Sequence, residues 1–268
     1  EPKSKKALIQ LHGNGSSSIF YNDDQREEQV LALNNKGISV LLFNNRGAHY
    51  IKKLNGKRFG MAYEKIRDCV KDVDGAIKFL EGMGYKEFYL AGESTGANKI
   101  CVYNFYKPNS KVSKYILLGG GDDTGWYFDY FGRKKIFDLL KRCKEKIRKR
   151  KGGEIISEIV NDFIFSYQGF YDIANPVGDY NVFPFLEELK NIKISTKPHF
   201  RYYKSIKKPT LVVYGENDEY AYGKIPKIMS ILSREKPEFE YKIIKSADHM
   251  FSNKKKELSK IIADWLIK

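Results

Sequence analysis

The chain has 268 residues, enough for one large α/β domain, and its 42% hydrophobic and 14% aromatic content excludes wholesale disorder. The formal net charge is +15, which fits a Lys-rich soluble surface or an affinity for anionic partners. No nucleic-acid-binding motif accompanies that charge, so no nucleic-acid partner is expected. Neither a signal peptide nor an apolar run of roughly 18 residues is visible, and a cytoplasmic location is therefore expected.

The three cysteines, Cys69, Cys101 and Cys143, have no metal-binding or disulfide spacing. Cys69 and Cys101 fall within predicted helices, where buried thiols are expected. A sparse, odd set of cysteines suits a reducing compartment. No metal, nucleotide or flavin motif is present, so no cofactor is expected.

The first half of the chain alternates short apolar runs with helical patterns. The predicted strands are 6–11, 38–43, 86–92 and 114–118. The first predicted helix begins at a cap formed by Asn22 or Asp23 and ends near Lys36. A second helix is predicted at 62–82, and a third begins after Ser94. Such alternation predicts a mostly parallel sheet flanked by helices.

The alternation stops near Thr124 and resumes only at a strand predicted for 209–214. An interval of this length predicts a helical cap at 124–205, inserted after the fourth strand into a core formed by 1–123 and 206–268. The interval holds 17 of the 38 aromatic residues, and its segment 133–151 carries eleven basic residues and two acids. That segment predicts an amphipathic helix, whose basic face is either simply solvated or in weak contact with an anionic surface.

After the interval the α/β pattern continues to the end of the sequence. The predicted elements are a helix at 224–234, a strand at 239–244 and a final helix at 255–266.

The most informative stretch is Gly92-Glu93-Ser94-Thr95-Gly96, which follows a predicted strand and opens a helix. A serine on such a sharp turn projects its hydroxyl from the end of the sheet, and small flanking residues let strand and helix come close. Ser94 is therefore the candidate nucleophile. A serine hydroxyl needs a general base at neutral pH, and the base in turn needs a carboxylate to orient it.

His249 follows the last predicted strand and is the candidate base. Asp218, in Gly215-Glu-Asn-Asp218, follows the preceding strand and is the candidate orienting acid. Glu216 and Glu219 compete with Asp218 by position, and Asp122 or Asp123, after the fourth strand, could supply the carboxylate instead. His12 is expected to brace the loop after the first strand.

The tetrahedral intermediate of acyl transfer needs two hydrogen-bond donors. The candidates are the backbone N–H groups of Thr95 and of Asn14, in the glycine-rich loop after the first strand. Three further residues are candidates for contacting substrate: Arg46, Glu93 and Trp126. Arg46 has an alternative role in bracing the loops.

These motifs resemble those of the α/β-hydrolase superfamily. The resemblance rests on His12-Gly13-Asn14-Gly15, the turn around Ser94, Gly215 to Asp218, and Asp248-His249. Asn44-Asn-Arg-Gly47 and Ser94-Thr-Gly-Ala97 are also similar to an esterase-like group that includes fungal siderophore-ester hydrolases. Two features depart from the superfamily: it usually has two strands before the first one seen here, and Glu93 precedes the serine.

The resemblance implies a serine hydrolase that cleaves a small-molecule carboxylic ester through an acyl-enzyme. The aromatic interval suggests bulky or aromatic, feruloyl-like esters, unless its rings form the core of the cap. The net charge also allows an anionic substrate. The alternatives are a membrane-surface lipase and a non-catalytic binding module on the same fold. The sequence does not determine the oligomeric state.

Overall fold

The computed structural model describes residues 4–18, 23–157 and 164–268. Its strands are β1 (Lys6–Leu11), β2 (Ile38–Leu42), β3 (Lys52–Leu54), β4 (Lys57–Phe59), β5 (Glu87–Glu93), β6 (Val112–Leu118), β7 (Thr210–Gly215) and β8 (Glu240–Ile244). Six of them form one sheet in the order β2-β1-β5-β6-β7-β8, and all neighbours in it are parallel. The prediction of a parallel α/β sheet is confirmed.

The register of the central strands places their carboxyl ends together. Leu11 at the end of β1 is opposite Gly92 of β5, and Glu93 is opposite Leu118 of β6. The loops that follow these strands therefore meet at one edge of the sheet, where ligands bind in open α/β folds.

Helices cover both faces of the sheet. They are α1 (Asp23–Asn34), α2 (Cys69–Gly82), α3 (Thr95–Tyr106), α9 (Ile225–Glu235) and α10 (Lys255–Leu266). Phe88 and Leu90 of β5 pack with α2, α3 and α9, while Tyr89 and Ala91 pack on the opposite face with α1 and α10. Because both faces are buried, the central strands are continuous apolar runs rather than alternating ones.

Between β6 and β7 the described residues form five helices. They are α4 (Asp123–Phe131), α5 (Arg133–Arg148), α6 (Tyr167–Ala174), α7 (Phe185–Lys190) and α8 (Arg201–Lys204). The expected inserted helical segment is present, and its division from the core as a separate domain stays a prediction. Many of its aromatic rings pack on one another. The ring centroid of Tyr127, for example, lies 5.7 Å from that of Phe165 and 5.5 Å from that of Phe170.

Helix α5 is amphipathic, as its sequence predicts. Its apolar side chains Ile136, Leu139, Leu140 and Cys143 are buried, and most of its basic residues lie on the exposed face. Contact of that face with an anionic surface stays a prediction.

The structure of segment 52–68 differs from the sequence prediction, in which a helix begins at residue 62. β3 and β4 pair as an antiparallel hairpin whose turn residues Asn55 and Gly56 both have positive φ. Two 3₁₀ turns, Met61–Tyr63 and Ile66–Asp68, then precede α2.

The break in the predicted helix has a tertiary cause. Glu64 between the two turns is extended, with φ −66° and ψ 139°. The Ile66 N–H donates to Asp172 Oδ2 of the inserted segment at 2.8 Å instead of to a helical carbonyl.

All three cysteines are buried and none forms a disulfide among the described residues, and the burial agrees with the expectation for Cys69 and Cys101. The predicted cap at Asn22 lies outside the described residues. Across the part of the chain that the structure describes, no helix combines the length and the apolar character that a membrane span requires.

Candidate active site

Ser94 occupies a sharp turn between β5 and α3. Its φ of 53° and ψ of −128° lie in a sparsely populated region, which costs a non-glycine residue of order 1–3 kcal/mol. Its N–H donates to the Leu118 carbonyl at 2.8 Å, which ties the turn to β6. A Cβ at Gly92 would collide with the Gly96 carbonyl, and one at Gly96 with the Leu11 carbonyl. The glycines thus permit the close strand–helix packing that holds Ser94 in this conformation.

His249 and Asp218 form a buried pair beside this turn. His249 Nδ1 lies 2.9 Å from Asp218 Oδ2, and the side chains are 6% and 2% exposed. Asp218 is further fixed because its Oδ1 accepts from the Tyr220 N–H at 3.0 Å. Because Nδ1 is occupied by the carboxylate, Nε2 is the imidazole nitrogen left to take a proton.

Gly119 makes room for this pair at the end of β6. Its φ is +56°, and a Cβ there would stand 3.2 Å from Asp218 Oδ2 and 3.3 Å from the His249 ring. A larger residue would therefore press on the contact between acid and imidazole.

The pKa of His249 is raised above its ordinary value. Burial by itself lowers it, but the hydrogen bond and charge of Asp218, with the charges of Glu219 and Glu93, outweigh burial. The environment favours the imidazolium, which is the form that a general base reaches after it accepts a proton.

The candidate oxyanion donors lie on either side of Ser94. Thr95 is the first residue of α3, where helix N–H groups lack an intrahelical partner. Asn14 is in the turn after β1, next to Gly13, whose Cβ position would be 3.0 Å from Ser94 Cβ. Asn14 and Thr95 both line the cavity described below.

His12 is buried under this loop and holds it. Its Nδ1 lies 2.8 Å from the Gly13 carbonyl, to which it donates. Burial and the charge of Lys99 lower the His12 pKa to about 3, so the ring is neutral at working pH. The structure thus gives His12 the bracing contact that its position predicts.

A cavity of about 250 Å³ opens above Ser94. Its lining comes from the loops after β1, β5, β6, β7 and β8 and from α4. The lining residues are Gly13, Asn14, Ser16, Glu93, Ser94, Thr95, Gly121, Asp122, Asp123, Trp126, Tyr127, Glu219, Tyr220, His249 and Met250.

The other carboxylates considered as partners of His249 have different partners. Asp122 caps α4, accepting from the N–H groups of Gly125 and Leu186, both at 2.7 Å. Asp123 accepts from Thr95 Oγ1 at 3.1 Å and from Asn98 Nδ2 at 3.1 Å. Neither is hydrogen-bonded to the imidazole.

The two glutamates beside Asp218 bind backbone groups. Glu216 accepts from the Ser246 N–H at 2.9 Å, and Glu219 from the His249 N–H at 3.0 Å. Both fix the loop that carries His249, and Asp218 is the carboxylate at the ring.

The three candidate substrate contacts have different positions. Glu93 lines the cavity and forms an ion pair with Arg26 of α1. Trp126 also lines the cavity, and its ring stacks on Tyr130 at 5.4 Å.

Arg46 is not among the described residues that line the cavity. Its Nε lies 2.7 Å from Asp72 Oδ1, and its Nη2 donates to the Asp68 carbonyl at 3.0 Å. These contacts are the ones that the alternative role in bracing the loops requires, and a substrate contact by Arg46 stays a prediction.

Sequence reasoning missed several cavity residues. Asp123 was considered only as a partner for the histidine, and Tyr127 and Tyr220 were not singled out. The signal for Asp123 was available, because a carboxylate directly after a parallel strand faces the ligand edge of the sheet. Tyr127 and Tyr220 had no signal that distinguishes them from packing aromatics.

A family model matches residues 58–268, which is most of the chain. The chain belongs to this family. It is described as "Protein of unknown function (DUF1749)". No curated protein sequence matches the chain.

Solved structures resemble this member of DUF1749 over its whole length. A monoacylglycerol lipase from Paleococcus ferrophilus has a TM-score of 0.62 at 17% identity, with 97% of this chain and 93% of that one covered. Est1E from Butyrivibrio proteoclasticus, with ferulic acid bound, has a TM-score of 0.61 at 13% identity, with coverages of 99% and 91%. Carboxylesterase CesB from Bacillus subtilis has a TM-score of 0.54 at 17% identity, with coverages of 99% and 84%. At these identities the likeness establishes the α/β-hydrolase fold, shared with esterases and lipases.

Proposed function

We propose that this protein is a serine hydrolase that cleaves a carboxylic ester through an acyl-enzyme. The observation that carries the proposal is that Ser94, on its strained turn, shares one cavity with His249, whose Nδ1 is bound to Asp218. Ser94 is the proposed nucleophile, His249 the base and Asp218 the orienting acid. Their order along the chain, serine then aspartate then histidine, is the one used by α/β-hydrolases.

The reaction proceeds in two halves. Ser94 Oγ attacks the ester carbonyl carbon while its proton passes to His249 Nε2, and the N–H groups of Thr95 and Asn14 donate to the oxyanion. The intermediate collapses, the alcohol leaves with the proton from His249, and the acyl group stays on Ser94. Water then attacks the acyl carbon with His249 as base, which releases the acid and restores Ser94.

The size of the cavity limits what lies next to the scissile bond. About 250 Å³ is below the roughly 300–1,000 Å³ of sites that enclose drug-sized ligands. A compact group fits inside, and a bulkier part of the substrate extends past the mouth. Trp126 offers a face on which a flat, feruloyl-like group could stack, while most rings of the inserted segment are used in its own packing.

The test is Ser94→Ala, assayed with a short, uncharged aryl ester. We expect turnover to fall by at least about 10³-fold, because the remaining groups only bind and polarise the ester. Ser230→Ala, at an exposed serine on α9, is the matched control and should keep full activity. A fluorophosphonate probe should label the wild-type protein and not the Ser94→Ala variant.

A non-catalytic binding module would behave differently. It would give no labelling at Ser94 and equal background turnover in all three proteins. Either result would overturn the proposal.

A further inference from the structure

The cavity differs in charge from the molecule around it. The chain carries a formal net charge of +15, yet the charged side chains of the cavity wall, apart from His249, are all acidic. They are Glu93, Asp122, Asp123 and Glu219. Among the described residues, no lysine or arginine lines the cavity. An anionic acyl or alcohol group, which the net charge alone would allow, meets four carboxyl groups here and no lysine or arginine of the described residues.

Three of these four carboxylates are occupied by the protein itself. Glu93 is paired with Arg26, Asp122 caps α4, and Glu219 accepts from the His249 N–H.

Asp123 is different, because its partners Thr95 and Asn98 are neutral. Within the described chain no lysine or arginine forms an ion pair with it, and the nearby Lys99 is bound to Glu64 at 2.7 Å. A partly buried carboxylate without a cation is costly, and a ligand cation would compensate it.

Aromatic rings line the same cavity as Asp123. Trp126 and Tyr127 follow Asp123 on α4. Tyr220 reaches the cavity from the loop after β7, and its ring centroid lies 4.7 Å from that of His249. Aromatic faces attract ammonium groups within about 6 Å, most strongly when the contact is shielded from water. Carboxylate and rings together form a site whose chemistry matches a cation.

We infer that the substrate of the proposed hydrolase is an ester that carries an ammonium group close to the scissile bond, held by Asp123 and the rings of Trp126, Tyr127 and Tyr220. This inference rests on the proposed function, since it describes the same cavity. On this inference the charge of the cavity, and not the net charge of the surface, determines which substrate is bound.

The protonation of Asp123 gives the site a pH dependence. Burial raises the pKa of Asp123 to about 7, against its hydrogen bond from Thr95 and the charge of Lys99. The other charged groups that act on Asp123 are Glu64 and His249, and it is adjacent to the buried carboxyl of Asp122. The carboxylate fraction grows as pH rises through 7, so the preference for a cationic ester should grow with it.

Matched ester pairs test the inference. In one pair the charge is in the alcohol: the acetate ester of choline and its uncharged isostere with carbon in place of nitrogen. In the other pair the quaternary ammonium group, or the carbon that replaces its nitrogen, is in the acyl chain. For at least one pair we expect kcat/KM to favour the cation by roughly 10- to 100-fold, as for a hydrogen bond or contact to a charged group. The ratio of the two kcat/KM values should rise between pH 6 and pH 8. The titration of His249 in the free enzyme affects both esters equally and therefore cancels in this ratio.

Asp123→Asn should abolish this preference, which is read as the ratio of the two kcat/KM values within a pair, so that any change in turnover common to both esters cancels. Asp123→Glu, which keeps the charge, should retain part of the preference. Asp129→Asn is the matched control, because Asp129 lies on the same helix and pairs with Lys190 outside the cavity. Equal ratios in the wild-type protein and Asp123→Asn, or no preference in either pair, would overturn the inference.

Binding of tetramethylammonium separates this inference from the proposed function. Calorimetry with the intact protein needs no turnover, and binding should weaken at least tenfold in Asp123→Asn but not in Asp129→Asn. Binding that depends on Asp123 without Ser94-dependent turnover would leave the cation site standing and refute the hydrolase. Turnover that depends on Ser94 with no such binding and no ester preference would refute the cation site alone.

Discussion

The contact between Asp218 and His249 is the residue-scale feature on which the proposed chemistry depends. The carboxylate holds the ring through Nδ1 and raises its pKa against the opposing effect of burial. Glu219 holds the backbone of the same histidine. Asp218 therefore sets both the orientation and the basicity of the ring, whereas Glu219 fixes the backbone that carries it.

Asp218→Asn should lower kcat by about 10³–10⁴-fold, because an amide can hold the imidazole in the wrong tautomer. Loss of the negative charge also removes the main effect that raises the His249 pKa. A general base acts when it is neutral, so the acid limb of the kcat/KM profile should move to lower pH. The pH–rate profile of an uncharged ester measures both effects.

Glu219→Gln is the companion variant. It keeps an acceptor for the His249 N–H but loses one of the weaker charges on the ring. A small shift of the acid limb with little loss of kcat is expected. An acid limb that does not move in Asp218→Asn would contradict the assignment of His249 as base.

At this scale the sequence predicts which side chains meet, while their catalytic roles stay a prediction. Ser94, Asp218 and His249 each lie within five residues of the end of an apolar strand, and the structure brings all three to one edge of the sheet. Arg46 could not be placed, because its Asp72 and Asp68 partners lie about a helical turn apart on a segment whose position depends on packing. Asp123 is visible in the sequence, but only the folded cavity shows that no lysine or arginine among the described residues forms an ion pair with it.

At the scale of elements, the turn around Ser94 is the most tightly constrained part of the fold. Gly92 and Gly96 are in contact with backbone carbonyls, which cannot move without shifting β1 or α3. The predicted strands were accurate because buried parallel strands are plain apolar runs, and the final helix has the bounds expected from its periodicity, Lys255–Leu266.

The hairpin of β3 and β4 shows where element prediction failed. Its strands are rich in lysine and mostly exposed, so no apolar alternation indicated them. The signal that was present, Asn55-Gly56, is the dipeptide that favours a tight two-residue hairpin turn. The 3₁₀ turns before α2 had no such local signal, because the Ile66 N–H is bound by the distant Asp172.

Two glycine replacements should have opposite effects on stability. Gly92→Ala should lower the free energy of unfolding by at least about 2 kcal/mol, because the new methyl group meets backbone atoms that cannot yield cheaply. Gly75→Ala, in the interior of α2 with open space around it, should raise it by about 1 kcal/mol through helix propensity. Urea denaturation of the three proteins measures both. Equal effects of the two replacements would contradict the tight packing described for the turn.

At the scale of the whole molecule, a buried ion pair joins the sheet core to the inserted helices. Lys99, on the helix that begins after Ser94, is fully buried and lies 2.7 Å from Glu64 Oε1. The other oxygen of Glu64 accepts from the Tyr180 hydroxyl of the inserted segment at 3.0 Å. One carboxylate thus connects α3, the segment before α2, and the segment that covers the cavity.

Glu64→Gln should destabilise the protein by about 3–5 kcal/mol, because it leaves Lys99 charged and unpaired in the interior. Replacing both partners by apolar residues, Glu64→Leu with Lys99→Met, should recover most of that loss. Asp264→Asn, which breaks an exposed pair with Lys36, should change stability by less than about 1 kcal/mol. Chemical denaturation is the measurement, and a Glu64→Gln variant as stable as Asp264→Asn would contradict a buried charge pair.

The order of the site along the chain has a consequence for synthesis. Ser94, the proposed nucleophile, comes before the inserted helices, whereas Asp218 and His249 come after them. A nascent chain emerges from its N-terminal side at about 5–20 residues per second, so Ser94 leaves the ribosome several seconds or more before its base. During that interval the serine is an ordinary weak alcohol. The proposed enzyme is therefore inactive until β8 has joined the sheet and brought His249 to the edge where Ser94 lies.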